Sequence, residues 1–234
     1  AHAVPPEYKG RSKAFLDFLL KEVMPVVKKE NLAEFCDIFC EEGVFSVDES
    51  RQYLKKAREM GFKLKIHADE IVSLGGSELA GELKATSADH LLHASDAGIK
   101  AMAENGVVST LLPTTAFCLR EPFARAREMI DAGCAVALAT DFNPGSGFTF
   151  SVPLMLGLAV IYMHMTAEEA ITALTLNGAA AVGRADRIGS IEVGKQADLT
   201  ILQYPSYKFL PYHTGVNIVE KVIKKGELVH TASV

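Results

Sequence analysis

Four polar stations in this sequence carry residue types that perform hydrolysis together: His67 with Glu70, His90, Asp141, and Asn143. A neutral imidazole and a carboxylate are good ligands for zinc or iron. Such a cation lowers the pKa of a bound water to about 7, and a carboxylate or imidazole within hydrogen-bond reach then moves the proton. His67 and Asp141 have the ligand character. Glu70 and His90 fit proton transfer or polarisation of a carbonyl. Asn143 and the backbone amides of Gly145 and Ser146 fit substrate binding. Each residue also has a plain structural use, since Asp141-Phe142-Asn143-Pro144-Gly145 is good turn chemistry and a strand-end histidine often bonds a carbonyl. Their shared placement at strand ends favours a site. His93, three positions past His90, faces the other way, and His164, His213 and His230 lack such a context.

The elements that must hold these stations follow from hydrophobic periodicity. FKLKIHADEI, residues 62–71, alternates apolar and polar residues as a strand does. Upstream, Pro5-Pro6 forbids a helix over residues 1–9. Residues 12–29 read as an amphipathic helix capped by Ser12, with Pro25 kinking it. Residues 32–39 read as a buried strand and 47–60 as a polar helix with Asp48 as cap. Beyond His67, helices are expected at 77–85, 96–104 and 123–132, and strands at 88–93, 107–112 and 135–140. Gly106 ends the second helix, and Pro113 stops the strand before it. Helices over 152–163 and 166–181 follow, the latter capped by Thr166 with Glu168 and Glu169 in its first turn. This alternation argues for parallel βα units, and in a (β/α)8 barrel the strands' C-terminal ends gather the catalytic groups. About five barrel strands fall after residue 30, with the end of another near His2. From Gly189 the texture becomes turn-rich and β-patterned. The expected division is therefore a barrel domain over 1–185, incomplete at its N-terminus, and part of a small β-sandwich over 186–234.

Composition sets bounds. The 234 residues are 49% hydrophobic and 23% charged, enough for a sizeable core. A net charge of −5 and a pI near 5.8 argue against a nucleic-acid surface. The four scattered cysteines read as buried thiols in a reducing cytosol. The longest apolar run, 152–163, is too short to span a bilayer, and no signal peptide is visible. A cytoplasmic protein with no membrane partner is expected.

The ordered set KIHADE, SADH, LLPTTAF and ATDFNPGS resembles the amidohydrolase superfamily and, within it, the imidazolonepropionase family of histidine degradation. The tail NGAAAVGRADRIGSIEVGKQADLTIL resembles the superfamily generally, whereas HAVPPEY, IHADE, DFNPGS and PYHTGVN are the specific segments. The resemblance implies one zinc or iron ion per active site, with His67 and Asp141 as two ligands. Glu70 and His90 would flank the attacked carbonyl, and His2, Asn143, Gly145 and Ser146 would contact substrate along with them. The implied reaction hydrolyses 4-imidazolone-5-propanoate to N-formimidoyl-L-glutamate. Glu70 would orient or deprotonate the water, His90 would polarise the carbonyl, and Asp141 would pass a proton to the leaving nitrogen, though the three could exchange roles. A small-molecule partner and a homodimer are implied as well.

One departure bears on this. The family's His-x-His pair and the Arg and Tyr that hold the substrate are not found here, and the chain starts Ala1-His2-Ala3 without Met. The chain is therefore expected to be the C-terminal part of such an enzyme, with PYHTGVN packing the tail. Two other readings stand beside it: another cyclic-amide hydrolase or deaminase of the superfamily, and a non-catalytic binding module.

Overall fold

The computed structural model describes residues 1–232. It divides into two compact units, one formed by Ala1–Ser109 with Asp131–Cys134, the other by Thr110–Ile130 with the chain from Ala135 onward. The fold class is α/β of the TIM-like (β/α) type, with a separate antiparallel sheet late in the chain.

In the first unit, strands β1 (Phe35–Cys36) and β2 (Phe39–Cys40) both pair in parallel with β3 (Lys63–Ala68). The continuous strand expected over 32–39 is thus interrupted at Asp37-Ile38. β3 pairs in parallel with β4 (Ser87–His90), with His67 opposite Asp89 and Ala68 opposite His90. Period two sends Leu64, Ile66 and Ala68 into the core and leaves Lys65 and His67 on the other face. Residue 1 extends this sheet, since its carbonyl accepts Phe39 N–H at 2.9 Å while its nitrogen donates to the Asp37 carbonyl at 2.8 Å. Residues 1–3 are irregular, so the strand end expected near His2 is present only as these two main-chain bonds.

The helical run after Ser12 is two α-helices, α1 (Ser12–Phe18) and α2 (Met24–Lys29), joined by a π-turn over Leu19–Val23. Ser12 does not cap it: Arg11 holds that position without a side-chain bond, and Ser12 Oγ instead donates to Glu49 Oε1 at 2.5 Å. Helix α3 (Val47–Glu59) is capped by Ser46 in a reciprocal box with Glu49, not by Asp48. Asp48 instead pairs with Arg51. Helices α4 (Gly76–Glu82) and α5 (Asp96–Asn105) cross so closely that a Cβ on Gly81 would lie 2.7 Å from the Ala101 backbone. Gly106, at φ +67°, ends α5 in the left-handed conformation that glycine adopts freely.

β5 (Val108–Leu111) leads into α6 (Pro113–Leu119), so Pro113 opens a helix at its first turn instead of only stopping a strand. The expected helix over 123–132 is confined to α7 (Ala126–Asp131). In the second unit, Ala139 N–H donates to the Leu111 carbonyl at 3.2 Å, tying β6 (Val136–Leu138) to the end of β5. α8 (Val152–Tyr162) is capped by Ser151. Thr166 and Glu169 form a capping box on α9 (Ala167–Thr172), which continues through a π-turn over Ala173–Asn177 into α10 (Gly178–Ala181). The tail turns through α11 (Phe209–Tyr212), where the His213 ring lies 4.6 Å from Tyr204 and 5.6 Å from Phe209, so PYHTGVN is an aromatic packing motif. β7 (Leu199–Leu202), β8 (Val219–Lys224) and β9 (Glu227–Thr231) form the antiparallel sheet. Among the described residues no helix is long and apolar enough to cross a membrane.

Candidate active site

The first unit brings His2, His67, Glu70 and His90 together. His67 stands on the polar face of β3, opposite Phe39 in the neighbouring strand. Its Nδ1 lies 2.8 Å from Oδ2 of Asp37, an ion-pair contact by distance. Yet neither that nitrogen nor the other Asp37 oxygen makes an aligned hydrogen bond. The direction of a hydrogen bond between the two side chains depends on which ring nitrogen carries the proton. Burial opposes a charge on His67, but Asp37 at contact distance, with Asp89 and Glu70 beyond, outweighs it, and the net pKa is raised.

At the end of β3 the chain turns sharply, with Asp69 at φ +49°. Asp69 is fully buried and is held by main-chain donors. Its Oδ1 accepts the N–H of Leu74, Gly75 and Gly76 at 2.9–3.0 Å, and its Oδ2 accepts Ser77 N–H at 2.9 Å and Ser77 Oγ at 2.5 Å. Buried carboxylates need such partners, since an unsatisfied one is costly. Glu70 follows directly, and its Oε1 lies 3.4 Å from Nδ1 of His90. His90 is 3% exposed and, like Leu91, has positive φ (+76° and +62°). Two consecutive non-glycine residues in that region cost roughly 1–2 kcal/mol each. They are latched there by Leu91 N–H to the Ala68 carbonyl at 3.1 Å and His93 N–H to the Asp69 carbonyl at 2.9 Å.

The rings of His2, His67 and His90 form a file. His2 stacks on Phe39 at 5.1 Å and lies 5.5 Å from His67, which lies 5.2 Å from His90. His2 also borders a cavity of about 550 Å³ shared with Lys9, Ser12, Phe39 and Val44.

The second unit holds Asp141, Asn143, Gly145 and Ser146 on the loop after β6. Asp141, at φ +51°, accepts Thr115 Oγ1 on Oδ2 at 2.7 Å. The Asn143 side chain organises the loop. Its Oδ1 accepts the N–H of Gly145 and Ser146, both at 2.8 Å, and its Nδ2 donates to the Asp141 carbonyl at 2.9 Å. Among the described residues no group of three or more His, Cys, Asp or Glu side chains is arranged to hold a metal.

Sequence reasoning passed over Asp37, Glu41, Asp69 and Thr115. Asp37 had a signal: in Phe35-x-Asp37-x-Phe39 a carboxylate occupies the strand face that His67 shares. Glu41 and Thr115 carried none, since their partners are set by the tertiary path.

Comparison with known proteins adds the following. The family model described as "Amidohydrolase family" matches residues 38–229. The chain is 70% identical over 233 residues to an imidazolonepropionase of Clostridium tetani, covering 100% of this chain and 56% of that protein. It is 64% identical over 228 residues to one of Parabacteroides distasonis, covering 97% and 55%. The chain thus spans about half the length of the curated relatives it matches. A crystal structure of an adenosine deaminase from Xanthomonas campestris with bound zinc has TM-score 0.71 at 22% identity, covering 95% of this chain and 56% of that one. At that identity it shows likeness of fold alone.

Proposed function

We propose a specific reaction for this chain, which belongs to the amidohydrolase family: within its enzyme it hydrolyses the ring amide of 4-imidazolone-5-propanoate to N-formimidoyl-L-glutamate. The observation that carries this reading is likeness to imidazolonepropionases along the whole chain, with IHADE and DFNPGS in place. The proposed domain division is residues 1–185 for the barrel part and 186–234 for the β part. A cytoplasmic homodimer acting on a small molecule, without nucleic acid or membrane, completes the proposal.

A single zinc or iron ion belongs to it. His67 and Asp141 would hold the ion, and the donor types fit: an imidazole with Asp37 at its Nδ1, the carboxylate partner that metal-bound histidines commonly keep on the nitrogen away from the ion, and a carboxylate that accepts Thr115 Oγ1 on Oδ2. A catalytic site needs about three protein ligands and an open position. The remainder in this reading is the His-x-His pair that the resemblance places ahead of residue 1. When bound, such an ion makes water acidic near neutral pH and polarises a carbonyl.

The chain's own residues do the rest. The Glu70 carboxylate takes the proton of the attacking water. His90, 3.4 Å away, shares that proton and faces the substrate carbonyl from an almost fully enclosed position. Asp141 passes the proton taken from the water on to the leaving ring nitrogen, so the proton released on attack ends on the nitrogen whose C–N bond breaks. His2 offers a ring face and an N–H to the substrate. Asn143 and the amides of Gly145 and Ser146 contact it by exchanging bonds they now make within the loop. The test follows ultraviolet loss of imidazolonepropionate in the protein encoded by the complete reading frame, with a hydantoin and dihydroorotate as controls. Opening of imidazolonepropionate alone supports the assignment. Opening of a control instead moves it to another cyclic amide, and no turnover of any of the three removes it.

A further inference from the structure

Glu41 follows β2 directly, and its carboxylate is buried, the residue being 1% exposed. Its hydrogen bonds run to main-chain N–H groups. Oε2 accepts Glu70 N–H at 3.0 Å and Ile71 N–H at 2.9 Å, while Oε1 accepts Glu42 N–H at 2.9 Å. Two of these donors belong to the proposed proton-transfer residue and its neighbour, 29 and 30 positions along the chain. Asp69, on the other side of Glu70, grips the stretch 74–77 in the same manner.

We propose that Glu41 is a positioning residue for Glu70: its buried carboxylate clamps the Glu70 and Ile71 amides and so fixes the direction in which the Glu70 side chain leaves the backbone, toward His90. The inference rests on the reading of Glu70 given above. Three points support it. The contact is to the amide of Glu70 itself, so a displacement of Glu41 displaces the Glu70 Cα. The turn it pins holds Asp69 at positive φ and would relax without a restraint. All three donors face acceptors, which a carboxylate supplies on both oxygens and a carboxamide on only one. Loss of catalytic geometry by a fraction of an ångström is expressed in turnover more than in binding.

The test is a double-substitution cycle in the protein encoded by the complete reading frame, read by opening of imidazolonepropionate and by the melting midpoint. E41A is expected to lower kcat about tenfold or more with KM within about twofold. Added to E70D, it is expected to cost less than about twofold, because the group it aims has already been shortened. A purely structural Glu41 would cost the same factor in both backgrounds; equal factors, or a loss confined to KM, overturn the proposal. Normal kcat in both E70D and E70Q would sink the assignment of Glu70 itself, whatever E41A does. If E41A does not fold, E41Q, which can still turn one oxygen to Glu70 and Ile71, takes its place with an expected factor of about three in the native background and about one in E70D.

Discussion

Oδ2 of Asp37 lies 2.8 Å from Nδ1 of His67, joining β3 to the break between β1 and β2. Without this carboxylate, burial would press the imidazole pKa down against only the more distant Asp89 and Glu70; with it, the pKa is raised. D37N should therefore bring the His67 titration, followed by NMR in metal-free protein, below the native value. The sign for stability follows. A folded pKa raised above the ordinary value of about 6.5 stabilises fully below that value, and the gain is lost as pH rises through the folded pKa. The melting advantage of the native protein over D37N should be greatest on the acid side and shrink toward alkaline pH. An advantage independent of pH would contradict the pairing.

E70Q should lower kcat roughly a hundred- to ten-thousandfold with little change in KM, the range expected for loss of a general base or acid. Steady-state kinetics on imidazolonepropionate decide it. A variant with native kcat would remove Glu70 from the chemistry.

S46A should cost about 1 kcal/mol of stability, because it removes the hydroxyl that accepts Glu49 N–H and donates to Glu49 Oε2. D48A should cost well under that, since the Asp48–Arg51 pair is a surface contact. Urea unfolding of the two variants gives the ranking, and the reverse order would restore Asp48 as the cap.

G81A should destabilise by about 1–3 kcal/mol, although alanine is the better helix former by up to about 1 kcal/mol. The added methyl would meet the Ala101 backbone at 2.7 Å, which neither helix can yield without parting from the other. A melting point at or above native would mean that α4 and α5 separate easily.

One thiol of the four should react quickly with a thiol-specific reagent in the native protein. Cys118 is exposed, while Cys36, Cys40 and Cys134 are buried, and burial pushes the Cys40 thiol up to about 11. Mass spectrometry after brief labelling should find the adduct on Cys118, with the others appearing only on denaturation.

Much of this was written in local pattern. The alternation of 62–68 marks β3, Thr166 with Glu169 marks the start of α9, and Gly106 marks the end of α5. These signals survive folding because they rest on period and on caps within a few residues. Where prediction slipped, two local candidates competed or the decisive partner was distant. Ser46 and Asp48 are both good caps, and only the fold brings Ser12 onto Glu49 beside the former. β1 and β2 hold one register on β3, Phe35 opposite Lys63 and Phe39 opposite His67, so the interruption at Asp37-Ile38 leaves the path of the chain unchanged, and no run of hydrophobic residues encodes it. His67, Glu70 and His90 could be named from type and spacing. Asp37 left a trace on the strand face that His67 shares, but Glu41 left none, because a carboxylate that serves distant amides looks like any other acid in a sequence.

The manner in which Glu41 and Asp69 are satisfied has a consequence for salt. An ion pair between side chains, such as Arg51 with Glu82, weakens as mobile ions gather around both charges. The donors facing Glu41 and Asp69 are peptide dipoles fixed by the covalent chain, joined at Asp69 by the uncharged Ser77 hydroxyl, so dissolved ions have no counter-charge to replace. The turn bearing Glu70 should keep its shape from dilute buffer to molar salt while the surface pairs of α3 and α4 loosen around it.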